Sequence, residues 1–352
     1  MKRSLLLPLL LLLSACNQQT LTLYIGTYTG KGSAGIYICK FDGKRGNWEI
    51  TDSIAAVNPS YLALSPDKEL LYAVNETGEA NAALQCFSLK DGAEVSRLLT
   101  RGADPCHVSA NSSLAVTSNY SGGSLSVFTL QDGIPRELVQ LLPGSAGGPD
   151  SLRQGTPHVH CALFSPEGKY LLASDFSSDK ILIYKVYPDS LSYCSACRLP
   201  EGSGVRHLCF HPNEKYLYCI GELDGQVCVL SYSDGQLNLL GSFEADPLHS
   251  RGSADIRVSP DGKWLYASNR LESDGITIFR ILEDGARLEP AAYEKTGSHP
   301  RNFRISPDGR YLFCACRDSD RIDIYELRGG LPHKSGIPPI AVSQPVCIEF
   351  RK

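Results

Sequence analysis

Two histidines separated by a single residue, His158 and His160, are the first group in this sequence that could do chemistry. Alternate side chains of a β-strand point to the same face, so a strand here would place both imidazoles side by side. Such a pair can act as a general acid or base, bind a substrate, hold a metal ion or simply pack. A metal needs further ligands, and no HExxH motif or matched Cys/His spacing in the sequence supplies them. We therefore expect acid–base catalysis or substrate binding without a metal or cofactor, with a structural pair as the alternative.

The elements that must position these residues repeat along the chain. Seven segments share one pattern, in which an apolar run is followed by a polar bend and an alternating run, as in a β-hairpin. They begin at Leu23, Leu71, Leu114, Tyr170, Tyr216, Trp264 and Tyr311. Proline-led turns precede most copies, and four of these prolines stand 46 to 48 residues apart, at Pro166, Pro212, Pro260 and Pro307. This period predicts an all-β fold, a seven-bladed β-propeller with four-stranded blades.

The two ends of the chain indicate how the ring closes. The first copy lacks a preceding strand, and the segment 345–350 matches the missing one when compared with the segment 300–305. Pairing of the terminal segments in one blade would remove two exposed sheet edges. We therefore predict a single propeller domain over residues 23–352, and a monomer, since a closed ring does not need a partner to complete its core.

Composition excludes several classes of protein. The chain has 352 residues, and its 42% hydrophobic content is typical of a folded domain. Its 32 glycines and 21 prolines favour a turn-rich β protein. The formal net charge of −4 argues against a nucleic-acid-binding protein, which needs a basic excess. A mean hydropathy of −0.14 excludes a protein that crosses a membrane many times.

The N-terminal segment is predicted to be a targeting signal rather than part of the fold. Two basic residues precede an apolar stretch over 5–13, which is too short to span a bilayer. Residues 13–16, LSAC, then resemble the bacterial lipobox, whose cysteine becomes the lipidated first residue. We expect a lipoprotein signal peptide over 1–16, lipidation of Cys16 and a tether over 17–22, with an ordinary cleaved signal as the alternative. The mature protein would be an exported bacterial lipoprotein, anchored by its lipid at the periplasmic or outer-membrane face.

Internal comparison of the repeats predicts a site, because equivalent positions of a propeller face one another around its axis. One ring follows the first apolar run of each copy and is charged or aromatic: Tyr28, Glu76, Tyr120, Phe176, Glu222, Arg270 and Arg317. A second ring lies in the strand before each proline turn: Ser60, Cys106, His107, His158, His160, Arg206, His207, Asp255 and Arg301. We predict that both rings converge on one mouth of the channel and bind a substrate there. Ion pairs that only join the blades are the alternative.

The thirteen cysteines are too few for a disulfide scaffold. Seven lie in apolar strands and are expected to pack as small core residues: Cys161, Cys209, Cys219, Cys228, Cys314, Cys316 and Cys347. Cys194 and Cys197 have the CxxC spacing, but no helix follows them, so a local disulfide or two free thiols is expected rather than a redox centre. The sequence also contains no nucleophile elbow, phosphate-binding loop or dinucleotide fingerprint.

Six short motifs stand in order along most of the chain. They are NYSGG at 119–123, PHVH at 157–160, VRHLCFHPN at 205–213, GEL at 221–223, ASNR at 267–270 and PRN at 300–302. This set resembles the seven-bladed lactonase family, which includes propeller-type 6-phosphogluconolactonases and fungal carboxymuconate cyclases. Proline-led turns alone occur in many propellers, whereas the ordered set is specific.

The resemblance implies an active site at His158 or His160, Arg206, Glu222 and Arg270. Glu222 or the histidine pair would deprotonate water, and the two arginines would hold an anion or an oxyanion. A neighbouring arginine should keep the Glu222 carboxyl ionised, as a base requires. Two departures from the family pattern, Val205 in place of Pro and Gly221 in place of Asn, could reshape the pocket.

Four further ring members are predicted to bind the substrate: Glu76, Tyr120, Asp255 and Arg301. The expected partner is a small anionic sugar-acid lactone, with 6-phosphogluconolactone as the leading candidate, opened without a metal. Export conflicts with this candidate, because phosphogluconolactone is a cytosolic metabolite, and an extracellular sugar lactone would resolve the conflict. The alternative function is a non-enzymatic, surface-anchored propeller that binds a glycan or a protein, and such a platform would carry exposed aromatic side chains.

Lipidation of Cys16 is directly testable. Mass spectrometry of the mature protein should show a lipidated cysteine as its first residue, because the lipobox places the cleavage immediately before it. Cys16→Ser should move the protein out of the membrane fraction, whereas the matched variant Cys194→Ser should leave it there. An unmodified Cys16 in the mature protein would contradict the prediction.

Overall fold

Seven antiparallel sheets arranged in a ring form the fold, which a computed structural model describes for residues 20–351. The innermost strands contact one another in a closed cycle around a central channel. This confirms the predicted seven-bladed β-propeller. The predicted signal peptide over 1–16, the lipidation site Cys16 and the tether residues 17–19 lie outside the described residues, whereas Leu21 and Thr22, also assigned to the tether, belong to the first strand of the propeller.

Each blade runs from an inner strand at the channel to an outer strand at the rim. In the first four blades the strands, from inside to outside, are β29 (Pro345–Arg351), β1 (Leu21–Thr27), β2 (Gly35–Asp42) and β3 (Asn47–Ala55); β4 (Leu62–Leu64), β5 (Leu70–Asn75), β6 (Ala83–Ser88) and β7 (Glu94–Leu99); β8 (Pro105–Ala110), β9 (Leu114–Asn119), β10 (Ser124–Gln131) and β11 (Ile134–Pro143); and β12 (Val159–Phe164), β13 (Tyr170–Asp175), β14 (Lys180–Tyr187) and β15 (Ser190–Arg198).

The other three blades follow the same order. Their strands are β16 (Val205–Phe210), β17 (Tyr216–Gly221), β18 (Gln226–Ser233) and β19 (Gln236–Glu244); β20 (Ser253–Val258), β21 (Trp264–Asn269), β22 (Gly275–Leu282) and β23 (Arg287–Lys295); and β24 (Pro300–Ile305), β25 (Tyr311–Cys316) and β26 (Arg321–Arg328), with two short outer strands, β27 (Leu331–Lys334) and β28 (Ile340–Ala341). Four short 3₁₀ helices occur among the described residues: Phe176–Ser178, Leu271–Ser273, Glu283–Gly285 and Arg317–Ser319.

Burial explains the sequence pattern of the strands. The second strand of a blade, such as β17, is buried along nearly its whole length because neighbouring blades cover both of its faces, so it is a continuous apolar run. An outer strand such as β19 has one face in solvent and alternates between exposed and half-buried side chains. Strands near the propeller axis therefore have continuous apolar sequences, and strands at the rim have alternating ones.

Tyrosines join successive blades at equivalent positions. The Tyr218 hydroxyl donates to the Gly285 carbonyl at 2.9 Å, and the Tyr266 hydroxyl donates to the Gly330 carbonyl at 2.7 Å. In both cases a phenol of one blade reaches the outer hairpin of the next blade. A buried tyrosine needs a partner for its hydroxyl, and the repeat supplies one in the turn of the adjacent sheet. This repeated contact accounts for part of the high tyrosine content.

The two chain termini close the ring as predicted. Strand β29 pairs antiparallel with β1, with Ile348 opposite Ile25, so the C-terminal segment supplies the inner strand of the blade that the N-terminal segment begins. Each terminal strand thereby covers an edge that the other would leave open.

The cysteines in the described part of the chain are free thiols. Of the twelve within the described residues, ten are buried, which confirms that most pack in the sheets. The CxxC pair on β15 is present as two free thiols, with Cys194 exposed and Cys197 half-buried. Within residues 20–351 no helix is long and apolar enough to cross a membrane.

Truncation of the closing strand should destabilise the whole ring. Ile348 is fully buried, so Ile348→Ala should lower the free energy of unfolding by about 2–5 kcal/mol, through lost burial and the cavity left behind. The control Leu240→Ala, on the outer strand β19 and 49% exposed, should change it by no more than about 0.5 kcal/mol. Urea denaturation measures the change in the free energy of unfolding for both variants. Equal changes would show that burial of Ile348 in β29 is not important for closing the ring.

Candidate active site

Both rings of residues found by repeat comparison meet at one face of the propeller. Each inner strand begins at this face and each second strand ends there, as the pairing of Val159 with Asp175 shows in the fourth blade. The proline-led turns therefore lie at the opposite face. This antiparallel geometry brings residues about 15 positions apart in sequence to the same mouth.

A β-bulge recurs near the start of the inner strands and aims one residue of each at the channel. In β12 the pairing passes from Val159 to Cys161 and leaves His160 as the extra residue. Arg206 in β16 and Arg301 in β24 occupy the same bulged position. A bulge redirects a side chain that regular alternation would place in the sheet. The bulges thus select the side chains that face the cavity.

The centre of the mouth is a carboxylate held by three guanidinium groups. The Glu222 Oε2 atom accepts from Arg206 Nε at 2.7 Å and lies 3.0 Å from Arg270 Nη2, and its Oε1 atom accepts from Arg153 Nη2 at 2.6 Å. Because these residues come from different blades and one connecting loop, the ion pairs also join blades. The alternative interpretation of the ring, ion pairs between blades, therefore describes part of this cluster.

The charge state of Glu222 follows from its partners. Burial alone would raise the pKa of its carboxyl, but Arg270, Arg206 and Arg153 lower the pKa to about 2. Burial lowers the pKa of Arg270 to about 9, and the charge of Glu222 opposes that shift. Glu222 is thus ionised as expected, yet both of its oxygens are occupied by arginines. This arrangement suits a group that orients cations better than one that takes a proton from water.

Arg153 is a site residue that repeat comparison does not find. It lies in the connection between β11 and β12, outside any repeated strand, and its guanidinium also donates to the Tyr120 hydroxyl at 3.2 Å and lies 5.3 Å from the Phe176 ring centre. The available sequence signal is the extra length of this connection, 143–156, ahead of the fourth hairpin. His299, which lies 3.5 Å from Arg270 Nη1, is a second residue missed in this way.

His158 and His160 both contact the ring of Tyr120. His158 stacks on it with centres 4.3 Å apart and has its Nδ1 atom 2.8 Å from the Tyr120 carbonyl oxygen. His160 meets the ring edge-on at 5.5 Å, and its Nδ1 atom lies 3.7 Å from Cys106 Sγ. The Nε2 atom of His160 has no hydrogen-bond partner within the described part of the chain. Burial, reinforced by Arg206, holds the pKa of His160 well below its usual value, so the ring is neutral.

A narrow cavity beside His160 has a volume of about 10 Å³, which is room for about one water molecule. Its lining includes Arg206 and Arg301, together with Ser60 and Cys106. A neutral imidazole and guanidinium donors therefore face the same small space. This is an arrangement in which a base and an anion-stabilising group can act on one bound molecule.

Glu76 and Arg301 lie across the mouth from Glu222. Glu76 accepts from the Tyr28 hydroxyl at 2.8 Å and from the Ser60 hydroxyl, and Arg301 Nη2 lies 3.8 Å from Glu76 Oε1. The Arg301 guanidinium carbon also lies 5.5 Å from the Tyr28 ring centre. This single long ion pair leaves most of the Arg301 N–H donors available to a ligand.

Asp255 lies deeper than the sequence comparison predicts. It is the third residue of β20, one position further down the channel than the bulged residues, and it is fully buried. Its carboxylate accepts from Asn302 Nδ2 at 2.6 Å and His207 Nδ1 at 2.8 Å, and Arg257 lies within 3.2 Å. The structure therefore places Asp255 beneath the mouth as a group that positions other side chains, where a substrate contact was predicted.

The remaining ring members divide between the core and the rim. Phe176 is fully buried, and His107 and His207 lie in the channel below His160, with ring centres 5.2–5.7 Å apart along the row. Arg317 donates two hydrogen bonds to Asp318, at 2.7 and 2.9 Å, which neutralise its charge at the rim. In residues 20–351 no group of three His, Cys, Asp or Glu side chains is placed to hold a metal ion.

The buried imidazoles should make stability depend on pH. Burial lowers the pKa of His207 to about 4 and the pKa values of His107 and His160 well below 6.5, so the folded protein keeps all three neutral while the unfolded chain binds protons. The free energy of unfolding should therefore fall as the pH drops from about 6.5 towards 4, by up to about 1.4 kcal/mol per pH unit for each group. Urea denaturation at successive pH values measures this slope. His207→Asn should make the free energy of unfolding less dependent on pH, whereas the exposed control His333→Gln should leave the dependence unchanged. A wild-type stability that does not change between pH 6.5 and 4 would contradict the prediction that these histidines are neutral in the folded protein.

Comparison with known proteins identifies the family. Residues 22–350 match the family described as Lactonase, 7-bladed beta-propeller. A 6-phosphogluconolactonase of Formosa agariphila is 35% identical over 323 residues, covering 86% of this chain and 91% of that protein. A candidate 6-phosphogluconolactonase from Bacteroides uniformis is 46% identical with a TM-score of 0.92, covering 95% of this chain and 100% of that one. The Pseudomonas aeruginosa periplasmic gluconolactonase is 28% identical with a TM-score of 0.89, covering 95% of this chain and 99% of that one. The resemblance found in the motifs is confirmed, and the chain belongs to the seven-bladed β-propeller lactonase family.

Proposed function

We propose that this protein hydrolyses the lactone of a sugar acid, with 6-phosphogluconolactone as the leading substrate. The observation that carries the proposal is the neutral, buried His160 imidazole, which faces the same cavity as the Arg206 and Arg301 guanidinium groups. The names of the Formosa agariphila and Bacteroides uniformis proteins support a phosphorylated lactone, and that of the Pseudomonas aeruginosa protein supports gluconolactone.

The proposed reaction uses His160 as the general base. Its Nε2 atom takes a proton from a water molecule as the water oxygen adds to the lactone carbonyl carbon. The carbonyl oxygen becomes an oxyanion, which the Arg301 guanidinium stabilises through N–H donors that the protein leaves unused. When the tetrahedral intermediate collapses, the ring C–O bond breaks and the imidazolium returns the proton to the leaving alkoxide oxygen. The product is the open-chain sugar acid, and one water molecule is consumed.

Glu222 acts in this proposal as a positioning residue. It fixes the directions of the Arg206 and Arg270 guanidinium groups, and its clamped oxygens are poorly placed to accept a proton. Three guanidinium groups around one carboxylate leave an excess of two positive charges at the mouth. That excess favours an anionic substrate over a neutral one. Both His158 and Tyr120 then shape the wall against which the substrate lies.

The structure supports catalysis over the alternative of a binding platform. A glycan-binding or protein-binding mouth would present exposed aromatic side chains, but the exposed aromatic side chains in the described part of the chain, Tyr187 and Tyr193, lie on or beside β15 at the rim. The mouth presents arginines, histidines and carboxylates, and its tyrosines, Tyr28 and Tyr120, are half-buried.

We also propose that the enzyme needs no metal and works outside the cytoplasm. A side-chain base can activate water without a metal ion, so dialysis against a chelator should leave the rate unchanged. Export through the lipobox at residues 13–16 is compatible with the periplasmic location in the name of the Pseudomonas aeruginosa relative. We propose that the protein is a monomer that binds its substrate and is held at the membrane by its lipid anchor. We propose that it binds no nucleic acid.

Variants of the proposed base test the mechanism. Proton release from 6-phosphogluconolactone and from gluconolactone, corrected for spontaneous hydrolysis, should show turnover by the wild-type protein, and His160→Asn should lower kcat by about a hundredfold or more. Because the pKa of His160 is held well below 6.5, kcat/KM should stay level at and above that pH and fall only at more acidic pH.

Two further variants complete this test. Glu222→Gln should also impair turnover, by releasing its arginines, but should leave the pH profile of the residual activity unchanged. The exposed control His333→Gln should match the wild-type protein. Wild-type kcat in His160→Asn would exclude His160 as the base, and no hydrolysis of either lactone by the wild-type protein would overturn the proposed function.

A further inference from the structure

We propose that Arg153 binds the phosphate group of the substrate and thereby sets the preference for a phosphorylated sugar lactone. This inference rests on the proposed function and adds to it a residue that determines specificity. Arg153 lies on the connection between β11 and β12, at the outer side of the mouth, whereas the proposed base His160 lies in the cavity below.

The three arginines around Glu222 differ in what they can offer a ligand. The side chain of Arg206 is 1% exposed and that of Arg270 is 8% exposed, whereas that of Arg153 is 38% exposed. Solvent, and therefore a substrate entering the mouth, reaches only the third of these guanidinium groups to a substantial extent.

The hydrogen-bond donors differ in the same way. Arg270 uses its Nε atom on the Gly252 carbonyl and its Nη2 atom on Glu222, and its Nη1 atom faces His299. Arg206 uses Nε on Glu222 and Nη1 on the Ala254 carbonyl. Arg153 uses only Nη2, on Glu222 and Tyr120. Its Nε and Nη1 atoms have no partner within residues 20–351, so their N–H groups remain available to the oxygens of a phosphate.

The loop holds Arg153 in place before any ligand arrives. The next residue, Gln154, is fully buried and donates to Asp179 Oδ1 at 2.8 Å and to the Phe176 carbonyl at 3.0 Å. Asp150, in the same loop, forms an ion pair with Arg251 of the connection between β19 and β20. A guanidinium fixed in this way loses little conformational freedom when it binds an anion.

The positions of Arg153 and His160 fit the two ends of one substrate. Both side chains contact Tyr120, Arg153 through the hydroxyl and His160 through the ring, so one phenol side chain spans the gap between them. A lactone carbonyl at His160 would leave the far end of a hexonic acid near Arg153. A phosphate there carries about −1.5 to −2 charges, which complements the excess of two positive charges at the mouth.

Steady-state kinetics with two substrates tests the role of Arg153. In Arg153→Met the KM for 6-phosphogluconolactone should rise about ten- to a hundredfold, as expected for loss of a charged hydrogen-bonding pair, whereas kcat/KM for gluconolactone should fall by a smaller factor, because that substrate is affected only through the weakened hold on Glu222. Arg153→Lys should recover only part of the affinity, because its ammonium has three N–H donors where the guanidinium has five. Inorganic phosphate should inhibit gluconolactone hydrolysis competitively in the wild-type protein and much less in Arg153→Met.

The control variant is Arg280→Met, which removes the same charge from an exposed position of β22, opposite Trp264 and away from the mouth, and should leave both substrates unaffected. Equal losses for both lactones in Arg153→Met would show that Arg153 acts only by holding Glu222, and would overturn the proposal. Wild-type inhibition by phosphate in Arg153→Met would overturn it as well. Failure of the wild-type protein to open either lactone would instead overturn the proposed function, so the two failures are distinct.

Discussion

The buried carboxylate of Glu222 is the constraint on which the mouth of this propeller depends. An ionised carboxylate removed from water is stable only if cations and hydrogen bonds replace the lost hydration. Here Arg206 comes from the same blade, Arg270 from the next blade and Arg153 from the loop before β12. Neutralising this one charge therefore requires two blades and a connection to take up fixed relative positions. The same requirement leaves an excess of positive charge at the mouth, and this excess is what an anionic substrate would meet.

Ring closure supplies the rigidity that this arrangement needs. A blade alone exposes two sheet edges and both faces of its apolar second strand, so the seven blades are stable only together. The antiparallel pairing of β29 with β1 joins the two ends of the chain, and tyrosine hydroxyls join neighbouring blades. Side chains from strands more than forty residues apart in sequence can then keep hydrogen-bond distances, as His207 and Asp255 do below the mouth.

Much of this fold and part of its site could be predicted from the sequence, and the physical reason is repetition. Seven copies of one hairpin pattern specify seven blades, and equivalent positions of a closed ring must converge on the axis. That reasoning brings Glu222, Arg206, Arg270 and Arg301 to one mouth, as the structure shows. It does not distinguish depth along the channel. Asp255 lies one residue below the bulged positions, and this single step changes it from a predicted substrate contact into a group that holds His207 and Asn302.

The sequence by itself determined the fold class, the number of blades, the closure by terminal strands and the face that carries the site. All of these follow from the hairpin pattern, because it recurs in each of the seven copies. Only the tertiary structure decided which groups remain free to react. Arg153 reaches Glu222 across 69 residues from a loop that belongs to no repeat, and three arginines occupy the oxygens that a catalytic base would need. Which side chains reach Glu222 depends on differences in distance that are smaller than the spacing of neighbouring residues. The repeat pattern of the sequence does not specify such differences.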